Sequence, residues 1–195
     1  MSFDLKLHAY RLLMDEPFFA ALSRKIEKRA DYNIPTAGVR VDPESAQFEM
    51  IYNPDFFASL PEEHVRGVLK HEFYHLIFEH VTGTRFAHFR DLDASERRIH
   101  NVGMDLAINS HIADLPKGAC IPGDGPFVDM PRGMSEDWYM KNLPTPKEQD
   151  SSQGEGEGDG MPEPLDDHSG WDQVDNTENE IAKERLKEAI KKAWF

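Results

Sequence analysis

The sequence predicts an α+β fold: mostly helices, with a small β-hairpin beside one helix that carries His71-Glu72-Phe73-Tyr74-His75. Three observations predict it. Apolar residues recur near the helical period over several long stretches. Two runs rich in β-branched and aromatic residues flank a proline-containing turn. Capping residues, prolines and glycines punctuate the segments between them.

Residues from about Asp4 to Ala30 read as helical through Leu5, Leu12, Phe19, Leu22 and Ile26, and Pro17 splits the stretch in two. Thr36–Val41 and Gln47–Tyr52 then alternate as strands around Asp42-Pro43-Glu44-Ser45, and Asn53-Pro54 ends the hairpin. Ser59-Leu60-Pro61-Glu62 has capping-box spacing and opens a helix running to about Val81, where Thr82-Gly83 stops it. Val65, Leu69, Phe73, Leu76 and Ile77 give it an apolar side. A further helix spans roughly Ser95 to Ala113, with Ile99, Val102, Leu106 and Ile108 apolar and Gly103 at its middle. A mid-helix glycine costs about 1 kcal/mol against alanine, which points to close helix–helix approach. Residues 116–134 carry no evident element, Ser135–Leu143 forms a short helix, and an amphipathic helix starts near Asn176 with Ile181, Leu186, Ile190 and Trp194.

Length and charge set the organisation. The chain has 195 residues, enough for one domain with a sizeable core. Of the net charge of −14, the stretch Glu148–Glu180 supplies −12, with no Lys or Arg. That composition makes 144–165 an acidic low-complexity linker. It separates a domain over 1–143 from a segment over 166–195, whose His/Trp patch and terminal helix are expected to dock back. The negative charge excludes a nucleic-acid partner, which would need clustered Lys and Arg. Cys120 stands alone, so an intramolecular disulfide and a cysteine-based zinc cluster are excluded and a reducing compartment is expected. With no apolar run long enough for a bilayer and no signal-peptide core at the N-terminus, the expected location is the cytoplasm, with no membrane partner.

The chemistry lies in the His71-Glu72-x-x-His75 helix. Residues four apart share a helical face, so His71 and His75 can turn ring nitrogens to one ion, while Glu72 reaches a water beside it. With nine His in 195 residues, chance matches to this pattern number about 0.04. The competing reading is a His-rich solvated face that includes His64 and His80. Zinc hydrolases take a third protein ligand. The position where one common pattern places it holds Val81, and Glu79 sits one turn too far along a straight helix. Asp105 is the leading candidate, set among Val102, Leu106 and Ile108, with Asn109 one turn beyond to steady a ligand. His168 is the rival or an additional ligand, because Asp166-Asp167-His168-Ser169-Gly170-Trp171 follows the acidic run. If both bound, the open position that catalysis requires would be crowded. Tyr52, Tyr139 and His111 are candidates for stabilising an oxyanion. Gln47–Tyr52 is a candidate edge strand for holding an extended substrate, or simply a core strand.

Leu69-Lys70-His71-Glu72-Phe73-Tyr74-His75-Leu76, Asn101-Val102-Gly103-Met104-Asp105-Leu106-Ala107-Ile108-Asn109, the Ser135–Leu143 helix and Asp167-His168-Ser169-Gly170-Trp171 together resemble a zinc metallopeptidase family of bacteria and phages. Its members are often linked to a von Willebrand factor A-like domain, which does not follow the acidic run here. The resemblance covers the chain to about Trp171. It implies a zincin-like fold, Zn²⁺ held by His71, His75 and Asp105, and Glu72 as catalytic base. The expected activity is zinc-dependent hydrolysis of peptide bonds in a peptide or protein substrate. The alternative is a non-catalytic metal-binding interaction module in a phage or ATPase-linked assembly, which a closed site including His168 would favour.

Overall fold

A computed structural model describes residues 5–83, 91–143, 171 and 176–193. The fold is mixed α+β, with a three-stranded sheet among the described residues. Two compact units divide it, one of Met1–Arg90, Ile112–Pro116 and Asp166–Phe195, the other of Asp91–His111 and Lys117–Leu165. No helix of the described residues is long and apolar enough to cross a membrane.

The first unit opens with α1 (Leu5–Asp15) and α2 (Pro17–Ser23), divided at Glu16 as the proline at the first helical position of α2 requires. The helical reading to Ala30 is corrected here. The chain leaves α2 at Ser23, and Glu27–Ala30 is a strand, β1. Glu-Lys-Arg-Ala has no strand propensity, so pairing with a neighbour overrides it. That neighbour is β3 (Gln47–Tyr52), which β1 joins in parallel, while β2 (Ala37–Asp42) joins it antiparallel with Val39 opposite Met50. The hairpin turn is closed by the Asp42 carboxylate, which accepts from the Ser45 hydroxyl and the Glu44 amide. These two bonds hold the Asp42 carboxyl below its ordinary pKa.

The strand order β1-β3-β2 makes Gln47–Tyr52 the central strand. It has no open edge, so it is not the substrate-holding edge strand that sequence allowed. Buried Val39, Val41, Phe48 and Met50 give one apolar face. On the other face Glu49 pairs with Arg40 at 2.6 Å and Arg29 at 3.4 Å, one cation from each flanking strand.

After β3, Asn53 caps α3 (Pro54–Ser59) by accepting from the amides of Asp55 and Phe56. Ser59 therefore ends one helix rather than capping the next. The motif helix α4 (Glu62–Ile77) follows Pro61 with no side-chain cap, and Glu62 and Glu63 in its first turn favour the helix dipole. It stops at Ile77, four residues before Val81. It packs against α1, α2 and β2. The glycine that matters in it is Gly67: a Cβ there would lie 1.6 Å from the Asp114 carbonyl oxygen, so the 112–116 segment can approach only a bare backbone. The terminal helix, α7 (Asn176–Ala193), packs on α2, β2 and β3, with Ala182 and Leu186 buried and the Arg185 guanidinium donating to the Ser45 and Ala46 carbonyls. Ile181, expected on the apolar side, is exposed.

The second unit is built on α5 (Ala94–Asn109), which starts with a complete capping box between Asp93 and Glu96. Ser135 caps α6 (Glu136–Asn142) through the Trp138 amide. The unit's core gathers Val102, Leu106, Cys120, Phe127, Tyr139 and Leu143. Gly103 brings α5 and α6 together as its position suggested, since a Cβ there would meet the Met140 Cγ at 2.6 Å. Sequence showed no element over 116–134; the structure has a single 3₁₀ turn there, Gly125–Phe127.

Candidate metal centre

A helix repeat of 3.6 residues stacks His71 over His75, and packing then decides which way the rings turn. Val68, Leu69, Phe73 and Leu76 surround this stretch of α4 and are buried. His71, Glu72 and His75 are each 0% exposed, which rejects the solvated His-rich face. The two Nε2 atoms lie 3.2 Å apart, with ring centroids 4.7 Å apart and planes at 76°. Two nitrogens each about 2.0–2.1 Å from one tetrahedral ion would stand roughly 3.3 Å apart. The observed spacing fits that donor set without rearrangement.

His75 is held on its other side as well. Its Nδ1 lies 2.9 Å from Nδ1 of His80, a buried residue that the competing reading had put on a solvated face. The end of α4 brings His80 there. Glu79 takes a left-handed conformation (φ 58°), the His80 amide donates to the His75 carbonyl at 2.9 Å, and the Glu79 amide donates to Leu76 at 3.1 Å. This is the paired bond pattern of a Schellman helix stop. Glycine usually fills the left-handed position, so a Glu there gave no sequence signal. Trp171 closes the arrangement: its ring packs 5.2 Å from the His75 ring at 60°, and its indole N–H donates to the Val39 carbonyl at 2.7 Å.

In the second unit, Asp105 and Asn109 are both 0% exposed on α5. The Asn109 amide donates to the Cys120 carbonyl at 2.9 Å and so ties the helix to the loop that follows. Tyr139 is fully buried; its hydroxyl donates to the Pro131 carbonyl at 2.7 Å and lies 3.0 Å from the Ser110 hydroxyl. That network holds a loop, and Tyr139 is removed from the oxyanion candidates. His111 is exposed, and the Tyr52 ring stands edge-on to Phe57. His168 lies outside the described residues, as does the acidic run 144–165. Within the first unit, His71 and His75 are buried side chains that could hold a metal ion, and within the second, Asp105 is a buried carboxylate of ligand chemistry.

A family model described as "Putative metallopeptidase domain" matches residues 2–185. No curated protein and no solved structure matches the chain.

Proposed function

The chain belongs to the family described as "Putative metallopeptidase domain", and from that premise we propose that it is a zinc-dependent peptidase of zincin-like fold. The observation that carries the reading is the buried pair of imidazoles on α4, with Nε2 atoms 3.2 Å apart and the buried Glu72 carboxylate beside His71. His71 and His75 hold the ion. Asp105 is proposed as the third ligand, supported by its complete burial among apolar neighbours and by the chemistry of its carboxylate. A two-imidazole, one-carboxylate set is a common zinc donor set in hydrolases that keep a fourth position open.

When bound, Zn²⁺ supplies the Lewis acidity that brings a water's pKa near 7 and polarises a carbonyl. The rest falls to the protein. Glu72 takes the proton of the attacking water and delivers it to the nitrogen of the leaving amine. Burial of His71, Glu72 and His75 excludes bulk water and strengthens each electrostatic contact they make. The substrate class is an extended peptide or unfolded protein. The lone, buried Cys120 suits a reducing, cytoplasmic setting.

Glu72→Gln tests the proposal. It keeps the shape of the side chain but cannot accept the proton. The variant should retain its zinc and its thermal midpoint, while turnover of an unfolded protein substrate falls by about 10²–10⁴. Undiminished peptidase activity in this variant would place the chemistry elsewhere.

A further inference from the structure

We propose that His80 is the positioning residue of the metal centre, holding the His75 ring in the tautomer and orientation that present Nε2 to the ion. The inference rests on the metal-centre reading above and adds to it a residue that touches the ligand rather than the reacting atoms.

One assignment of protons fits a metal on Nε2 of His75. His75 turns Nε2 toward His71 at 3.2 Å and Nδ1 toward His80 at 2.9 Å. A neutral imidazole carries one proton, and the nitrogen that binds a metal must be bare. With Nε2 as the ligand atom, the proton of His75 sits on Nδ1 and is donated to His80. The Nδ1 of His80 then accepts, and the His80 proton sits on its own Nε2. Ligating histidines generally use their second nitrogen in this way, although a carboxylate or carbonyl is the usual partner.

The backbone stop sets His80 beside His75. In a Schellman stop the residue after the left-handed position contacts the residue three from the helix end, ordinarily through apolar side chains. Here those two residues are His80 and His75, and an imidazole pair replaces the apolar contact. The left-handed residue, Glu79, is uncommon in that conformation for a non-glycine. Its carboxylate is paired with Lys183 of α7 at 2.8 Å. The His75 ring therefore lies against His80, at a centroid distance of 5.0 Å, and against Trp171, at 5.2 Å. Both neighbours fix its tilt, and His80 also faces the nitrogen that carries its proton.

The test is Zn²⁺ affinity of the full chain, measured by competition with a chromophoric chelator, alongside the thermal midpoint of the metal-free protein. His80→Phe keeps a ring of similar size but no acceptor, and should weaken Zn²⁺ binding about 10–100-fold. His80→Asn, whose amide oxygen can stand where Nδ1 stood, should recover most of that loss. A merely structural residue would lower the midpoint in both variants and leave the affinity alone. Equal affinity in wild type and His80→Phe overturns the inference while the metal centre stands; a wild type that binds no Zn²⁺ overturns both. If His80→Phe does not fold, long-range ¹H–¹⁵N spectra of the zinc-loaded wild type decide. A protonated Nδ1 and ligated Nε2 on His75 support the assignment, and the reverse pattern refutes it.

Discussion

His71, Glu72 and His75 share one apolar stretch of α4, His80 follows the helix stop, and all four side chains are buried. A buried polar group without a partner is costly, so side chains kept at 0% exposure are held for a reason. Asp105 meets that description on α5, and it comes from a rigid element. His168 follows the acidic run, and ordering such a segment costs about 1–2 kcal/mol of backbone entropy per residue. Asp105→Ala should therefore weaken zinc binding far more than His168→Ala, and Asn109→Ala should cost about 10–100-fold. Chelator competition puts all three on one axis; loss of metal in His168→Ala alone would reverse the assignment. Lys28 offers a pH test. Burial lowers its pKa from 10.5 to about 8. Its folded value lies below its unfolded one, so between those limits the unfolded chain binds more protons and stability rises with pH. Urea midpoints should then show wild type gaining on Lys28→Met as pH goes from about 8 to 10; a constant difference would contradict the burial. At this level the sequence was most readable where helical spacing sets geometry, in the burial and shared face of His71 and His75. His80 entered only the competing solvated-face reading, because its burial depends on where the helix stops.

Helix ends and close approaches explain most of the departures from expectation. Thr82-Gly83 looked like the stop of α4, yet Glu79 ends it earlier in a conformation that favours glycine. The hairpin was legible because its turn and alternation are local. The strand β1 was not: Glu27–Ala30 is charged, and its pairing with β3, Glu27 opposite Glu49, is a tertiary choice. The same pairing turned Gln47–Tyr52 into a central strand, leaving β2 as the edge strand that packs on α4, with the Val39 carbonyl already bonded to Trp171. Two mid-helix glycines give a graded prediction. At Gly67 the added methyl would strike backbone, the Asp114 carbonyl. At Gly103 the nearest atom is the flexible Met140 side chain. Overpacking typically costs about 1–3 kcal/mol, so Gly67→Ala should reach or exceed the top of that range. Gly103→Ala should stay near its foot. Denaturant midpoints check the order; equal losses would mean that the 112–116 segment yields freely.

For the molecule as a whole, the division into two compact units was not readable from composition, which marks only the acidic run. Units assembled from separated segments leave no linker signature at their junctions. The α+β class was readable, because helix and strand periods are local properties of the chain. If the buried imidazole pair of α4 holds one zinc ion, metal analysis of the purified full chain will read it out. Wild type should carry about one equivalent of zinc, and the double variant His71→Ala/His75→Ala should carry essentially none while remaining folded by circular dichroism. Equal zinc in the two proteins would contradict the account.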